Sequence, residues 1–163
     1  MQVTRERLVR WEDPLLGAEK LRALSGLEAI RALRDGRVAP PPIAQLMGFT
    51  LVEADEGRAV FEGTPGEQHY NPMGAVHGGF ALALFDSALG LSIHTLLPAG
   101  VGFTTTDVQV RFIRGMTKDT GPVRCEAKVV HAGRSTAVAE ATLRDGAGRV
   151  LAIGTTACAI LRP

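Results

Sequence analysis

The sequence predicts an α+β fold in which an antiparallel β-sheet curls around one long central helix, with a helical extension at the N-terminus. Three observations predict it. The stretch from Phe80 to Leu97 is apolar at 12 of its 18 positions, and these point in all directions, so the helix must be covered all round. Beyond Gly100 apolar residues recur at every second position, as in strands with one wet face. The order strand, strand, helix and then four strands suits one sheet with the helix lying on it. A curling sheet would cover most of the helix, and a second subunit the remainder.

Residues 1–36 read as helical. Ser25 and Glu28 form an S-x-x-E capping box ahead of Leu27, Ile30 and Leu33, and Gly36 supplies a stop. This part, residues 1–39, reads as an appendage to the compact domain of residues 40–163. Pro40, Pro41 and Pro42 make a stiff break, and the last proline is placed to open a short helix through Ile43, Leu46 and Met47. Phe49 to Thr64 reads as two strands around the turn Asp55-Glu56-Gly57. After the long helix, Val108, Val110 and Phe112 alternate with Asp107, Gln109 and Arg111. Val123, Cys125, Ala127 and Val129 then alternate with Arg124, Glu126 and Lys128. Thr136 to Arg144 and Arg149 to Leu161 flank the glycine-rich turn Asp145-Gly146-Ala147-Gly148 and make a hairpin.

Charge and cysteine usage exclude several function classes. Eighteen Lys and Arg against 17 Asp and Glu leave a formal charge of +1 in 163 residues, so no global field draws the chain to nucleic acid or an anionic membrane. Cys125 and Cys158 sit in alternating apolar stretches, where a free cysteine behaves as a small buried hydrophobe. This points to a reduced, cytoplasmic setting. The first residues meet charge at once, without the apolar run of a secretory signal. Asp86, Ser87, Ser92 and His94 interrupt the one membrane-length stretch. His69, His77 and His94 lack the i, i+4 pairing of helical zinc ligands, and Ser87 and Ser92 fit no G-x-S-x-G elbow.

The chemistry centres on Asn71 to Asp86. Asp86 is the one charged residue between Phe80 and Leu97, and an unpaired carboxylate among Leu82, Leu84, Phe85 and Leu89 is expensive to bury. Burial would raise its pKa and strip its water shell, making it a better base or nucleophile; capping a loop or pairing with an arginine is the alternative. Gly78 and Gly79 stand where the helix begins, where free backbone N–H groups and the dipole favour an oxyanion. Gly78 and Asp86 lie eight residues apart, or about 12 Å along one helix. They cannot serve one carbonyl from the same chain. Two such helices packed antiparallel about a two-fold axis would bring Gly78 of one subunit beside Asp86 of the other.

The run Asn71-Pro72-Met73-Gly74-Ala75-Val76-His77-Gly78-Gly79, with Asp86 after it and Asp107-Val108-Gln109-Val110-Arg111-Phe112 in the next strand, resembles the hotdog-fold acyl-CoA thioesterases of the phenylacetate-degradation type. The resemblance covers roughly residues 40–162. It implies a sheet wrapped around the central helix, paired subunits that form dimers or tetramers, and hydrolysis of an acyl-CoA without metal or organic cofactor. It makes Asp86 the carboxylate that attacks the thioester carbonyl or activates water. Gly78 would donate its N–H to the carbonyl oxygen, beside Gly79 against the substrate, and Asn71 would hold that oxygen or the water with its amide. His77 would either shape the turn before the helix or stand near the carbonyl. Thr105 falls where some relatives carry a hydroxyl that steadies the carboxylate, with Thr104 and Thr106 beside it. Other branches place that hydroxyl one turn after the carboxylate, which here is Gly90.

Arg114, Lys118 and Arg134 lie at strand ends or loops, where the family often places contacts to the coenzyme phosphates. The family's frequent proline after the strand arginine is replaced here by Gly115-Met116. Two other readings stand beside the hydrolase. One is an enoyl-thioester hydratase, which needs a histidine working with the carboxylate. The other is a non-catalytic acyl-thioester binding or regulatory protein.

Overall fold

The structure is a computed structural model that describes residues 3–163; the first two residues of the expected helical stretch lie outside the described residues. The N-terminal helices begin later than the sequence reading has them. Residues 3–13 carry no regular structure, and α1 spans Pro14–Arg22. Asp13 caps α1 by accepting from the Leu15 N–H at 2.9 Å, and Pro14 occupies its first turn. The chain before it offers no apolar stripe to bury. Glu28 caps α2, Gly26–Arg34, by accepting from the Ser25 N–H at 3.1 Å, and Gly36 follows with φ 71°. The short helix α3 opens at Pro42, as its fixed φ favours, and spans Pro42–Met47.

The two N-terminal helices differ in how they pack. α1 buries no residue, whereas α2 buries Ala29, Ile30 and Ala32 against β1 and α4. The Gly26 N–H donates to the Leu97 carbonyl at 2.8 Å, and a β-carbon at Gly26 would come within 1.7 Å of the His94 carbonyl oxygen. Only glycine permits that approach. α2 thus shares the core of the sheet.

The strands are β1 Phe49–Asp55, β2 Arg58–Gly63, β3 Gly102–Phe112, β4 Val123–Ala132, β5 Thr136–Asp145 and β6 Val150–Leu161, with the central helix α4 at Gly78–His94. They form one sheet in the order β1-β2-β4-β5-β6-β3, every neighbour antiparallel. The strand that leaves the helix, β3, therefore returns to the far edge and pairs β6 rather than β2. Its inward face and those of the other strands enclose α4. Phe80, Leu84, Phe85, Leu89 and Ile93 are buried there, each worth roughly 1.5–3 kcal/mol by removal from water. α4 starts two residues before the expected Phe80 and ends three before Leu97. Among the described residues no helix is long and apolar enough to cross a membrane.

The wet face carries cross-strand ion pairs, as its alternation implies. Arg58 meets Glu126 at 2.7 Å and Asp55 at 3.0 Å, and Arg124 meets Glu62 at 2.8 Å. Both cysteines are free and buried, and burial pushes the Cys125 thiol up to about 12.

Candidate active site

The loop before α4 is held by its own polar groups. Asn71 Oδ1 accepts from the backbone N–H of Met73 at 2.9 Å and of Ala75 at 3.3 Å, and the Asn71 N–H donates to the Ala75 carbonyl at 2.8 Å. With its oxygen turned into the loop, the half-exposed amide leaves its NH2 group to donate outward. His77 is the N-cap of α4. Its N–H donates to the His69 carbonyl at 2.7 Å, and its Nδ1 accepts from the Gly79 N–H at 2.8 Å. The accepting Nδ1 puts the proton of the neutral ring on Nε2. His77 thus shapes the turn, and the Gly79 N–H is occupied.

That leaves Gly78. Among the described residues its N–H has no partner, while the Phe80 N–H donates to the His77 carbonyl at 3.1 Å. The Phe112 ring lies where a side chain at position 78 would go, 3.0 Å from an ideal β-carbon. The free donor and the positive end of α4 coincide at this glycine.

Asp86 is exposed in the single chain, not buried among its apolar neighbours as the sequence suggests. Leu84, Phe85 and Leu89 turn toward the sheet, whereas Asp86 and Leu82, one turn apart, share the stripe that the sheet leaves open. The expectation of a desolvated carboxylate therefore fails for the single chain. Thr105 Oγ1 donates to Asp86 Oδ1 at 3.0 Å. Thr106 instead donates to the Ala157 carbonyl at 2.8 Å, and Thr104 is exposed. A bulge between Thr105 and Asp107 in the pairing with β6 separates these roles.

A cavity of about 410 Å3 opens beside this pair. Its walls include Phe49, Leu51, Phe61 and Leu91, with Asp86 and Thr105 among its few polar groups. The α2–α3 segment closes another side through Leu33, Pro40, Pro41 and Ala44. Sequence reasoning allowed the N-terminal helices a part in the pocket wall but named none of these residues, because none carries a motif. It also missed Phe103, whose ring fills the space over Gly90 where other branches carry a hydroxyl. The period-two spacing of Phe103 and Thr105 was the available signal, since it puts both on one face of β3.

The three candidate cations do not gather. Arg114 and Lys118 lie at the end of the sheet where α4 begins, close to the Asn71 loop. There the Val76 N–H donates to the Met116 carbonyl at 2.9 Å and the Lys118 N–H to the Tyr70 hydroxyl at 2.9 Å. Arg114 Nη1 donates to the Val150 carbonyl at 2.8 Å, and Lys118 Nζ meets Asp119 at 3.1 Å, which holds the lysine pKa above its usual value. Arg134 sits in the β4–β5 turn at the opposite end. The Arg114 N–H reaches Leu151 near the start of β6, while Ser135 accepts from Ile160 near its end, a separation of roughly 30 Å. Arg134 cannot join the other two on one phosphate group within a chain.

Known proteins share this fold. A family model for the thioesterase superfamily matches residues 73–152. A 1,4-dihydroxy-2-naphthoyl-CoA hydrolase of Listeria monocytogenes is 24% identical over 119 residues, 72% of this chain and 94% of that one. Among solved structures, a conserved protein of Pseudomonas aeruginosa is 30% identical with a TM-score of 0.70, covering 75% of this chain and 95% of that one. A variant of the phenylacetic acid degradation protein PaaI of Thermus thermophilus is 26% identical with a TM-score of 0.66, covering 76% and 100%. The sheet wrapped around α4 is a hotdog fold, and this chain is a member of the thioesterase superfamily.

Proposed function

We propose that this protein hydrolyses acyl-CoA thioesters at sites shared between two copies of the chain. One observation carries the reading: the Asp86 carboxylate, held by the Thr105 hydroxyl at 3.0 Å beside an apolar cavity, lies on the same helix as a free Gly78 N–H. Eight residues separate them, about 12 Å along the helix, so one protomer offers two half-sites. The open stripe of α4 with Leu82, 39% exposed, and the neighbouring Phe112 and Met73, 51% and 87% exposed, is the surface a second copy would cover. Two-fold pairing sets Asn71 and Gly78 of one protomer against Asp86 of its partner. Pairing would also desolvate Asp86.

The Gly78 N–H and the Asn71 amide then polarise the thioester carbonyl, each good donor being worth about 3 kcal/mol as charge develops on that oxygen. With one Asp86 oxygen on Thr105, the other either takes a proton from the attacking water or attacks the carbonyl itself. The products are the carboxylic acid and the free thiol. The naphthoyl-CoA hydrolase among the relatives supports a coenzyme A thioester, and Arg114 and Lys118 lie at the Gly78 end where its phosphates would need cations.

Thiol release from a panel of acyl-CoAs tests the reaction; no turnover of any of them ends the reading. Mixing inactive Asn71→Ala and Asp86→Ala subunits tests the sharing. Partial recovery of activity is expected after subunit exchange, and none would overturn the shared site.

A further inference from the structure

The cavity beside Asp86 ends on a single aromatic ring. Phe103 sits two positions before Thr105 on β3, so both side chains face α4. Its ring lies so close to Gly90 that a β-carbon there would come within 2.8 Å of it. The ring also meets the His94 imidazole edge-on, with 5.7 Å between centroids and 71° between planes. Glycine at position 90 and an imidazole one turn later therefore hold Phe103 in the wall of the cavity.

Behind the ring lies a second hollow of about 380 Å3, between α1 and the start of β3. Ala18, Leu21, Leu24, Val101 and His94 line it, and Phe103 is the one side chain that lines both spaces. Burial pushes the His94 imidazole pKa down, so the ring that borders the hollow is uncharged at neutral pH. An apolar chain that passed Phe103 would meet mostly apolar walls, the one charged lining residue being Arg22, which is exposed to solvent. α1 buries nothing of its own, which leaves the far wall of this hollow built by a lightly packed helix.

We infer that Phe103 is the partition that sets how long an acyl group the site accepts. The proposal rests on the acyl-CoA reading above and extends it to substrate length. Acyl or aryl groups that end at the ring are taken, and long alkyl chains are excluded because the space they need lies behind it. α1 and α2 precede the residues that match the superfamily model. The N-terminal helices, rather than the shared core, therefore build the outer wall of the chain-length selection.

Thiol release from hexanoyl-CoA and hexadecanoyl-CoA tests this, with Phe103→Ala, with Phe103→Leu as a gentler opening in case the first does not fold, and with the double variant Phe103→Ala/Ala18→Phe that refills the second hollow. Each methylene buried in an apolar pocket is worth about tenfold or more in kcat/KM. The ratio of long-chain to short-chain kcat/KM should therefore rise at least about tenfold in Phe103→Ala, less in Phe103→Leu, and fall back in the double variant. An unchanged ratio in a folded Phe103 variant that still releases thiol overturns the partition and leaves the thioesterase reading standing. If no acyl-CoA is turned over, that reading fails, and calorimetric binding of free hexadecanoate still decides the partition: tighter binding to Phe103→Ala than to the wild type supports it, and equal binding overturns it.

Discussion

The two sides of α4 are built for different purposes. Toward the sheet, Phe80, Leu84, Phe85, Leu89 and Ile93 are buried among strand side chains, and Ser92 is satisfied by donating to the Leu89 carbonyl at 2.7 Å. Along the stripe that the sheet leaves open, Leu82 and Asp86 stand exposed and Ser87 is half-buried. One side is packed to the density that stabilises a fold. The other is left open, with a carboxylate, a hydroxyl partner and an apolar cavity. The difference teaches that stability and chemistry are separable along this helix at neighbouring positions.

Asp86→Asn and Phe85→Ala put that separation to its hardest test. Asp86→Asn should lower kcat by about a hundredfold to ten-thousandfold, the range for a lost general base, with no loss of stability, because a neutral amide costs less to desolvate at a shared site than a carboxylate. Phe85→Ala should destabilise the fold by about 3–5 kcal/mol, read from denaturant midpoints, and its remaining folded fraction should still release thiol. A large stability loss in Asp86→Asn, or a stable but inactive Phe85→Ala, would break the comparison.

Thr105→Val sharpens it on the open side. The variant keeps the shape and removes the hydroxyl that donates to Asp86 at 3.0 Å. A hydrogen bond to a charged group is worth about 1.5–3 kcal/mol, so kcat should fall about tenfold to a hundredfold with KM little changed. Thr105→Ser should restore most of it. Equal losses in both variants would show that the methyl packing matters and the hydroxyl does not.

The smallest effect is expected from the packed side. The His69 ring lies 4.6 Å from Phe80 between centroids, and its Nδ1 accepts from the Gly66 N–H at 3.0 Å. Burial, and then the nearby Arg7 charge, hold its pKa below the usual 6.5, and burial does the same to His94. The unfolded chain therefore binds more protons than the folded one between the lowered values and about 6.5. The stability these rings contribute is complete above that pH and is lost as the pH falls through the window. Thermal unfolding should show a shallow decline of Tm below about pH 6.5, partly flattened in His69→Gln. A Tm that rises on acidification would contradict the sign.

Much of the site was legible because it is local. The capping residue His77, the free N–H of Gly78 and the loop built on Asn71 follow from the order of residues over a single turn and the start of a helix. Thr105 was legible as one of three adjacent hydroxyls, and a bulge that alternation does not encode selected it. The place of Arg134 at the other end of the sheet from Arg114 was not legible, for the opposite reason. A position at a strand end says nothing about which end of the sheet the strand finishes at, and strand order decides that.

The sequence by itself determined the element types, the capping box at Ser25 and Glu28, the apolar helix and the Asn71 to Asp86 motif, because each is written in periodicity or in contacts a few residues long. Tertiary structure alone decided that β3 closes the far edge of the sheet, that Asp86 is exposed, and that α2, the proline segment and Phe103 wall one cavity. Those outcomes depend on which distant surfaces meet. Burial is a property of such meetings, and a charged residue in an apolar run reveals its exposure only when the sheet has chosen which side of the helix to cover.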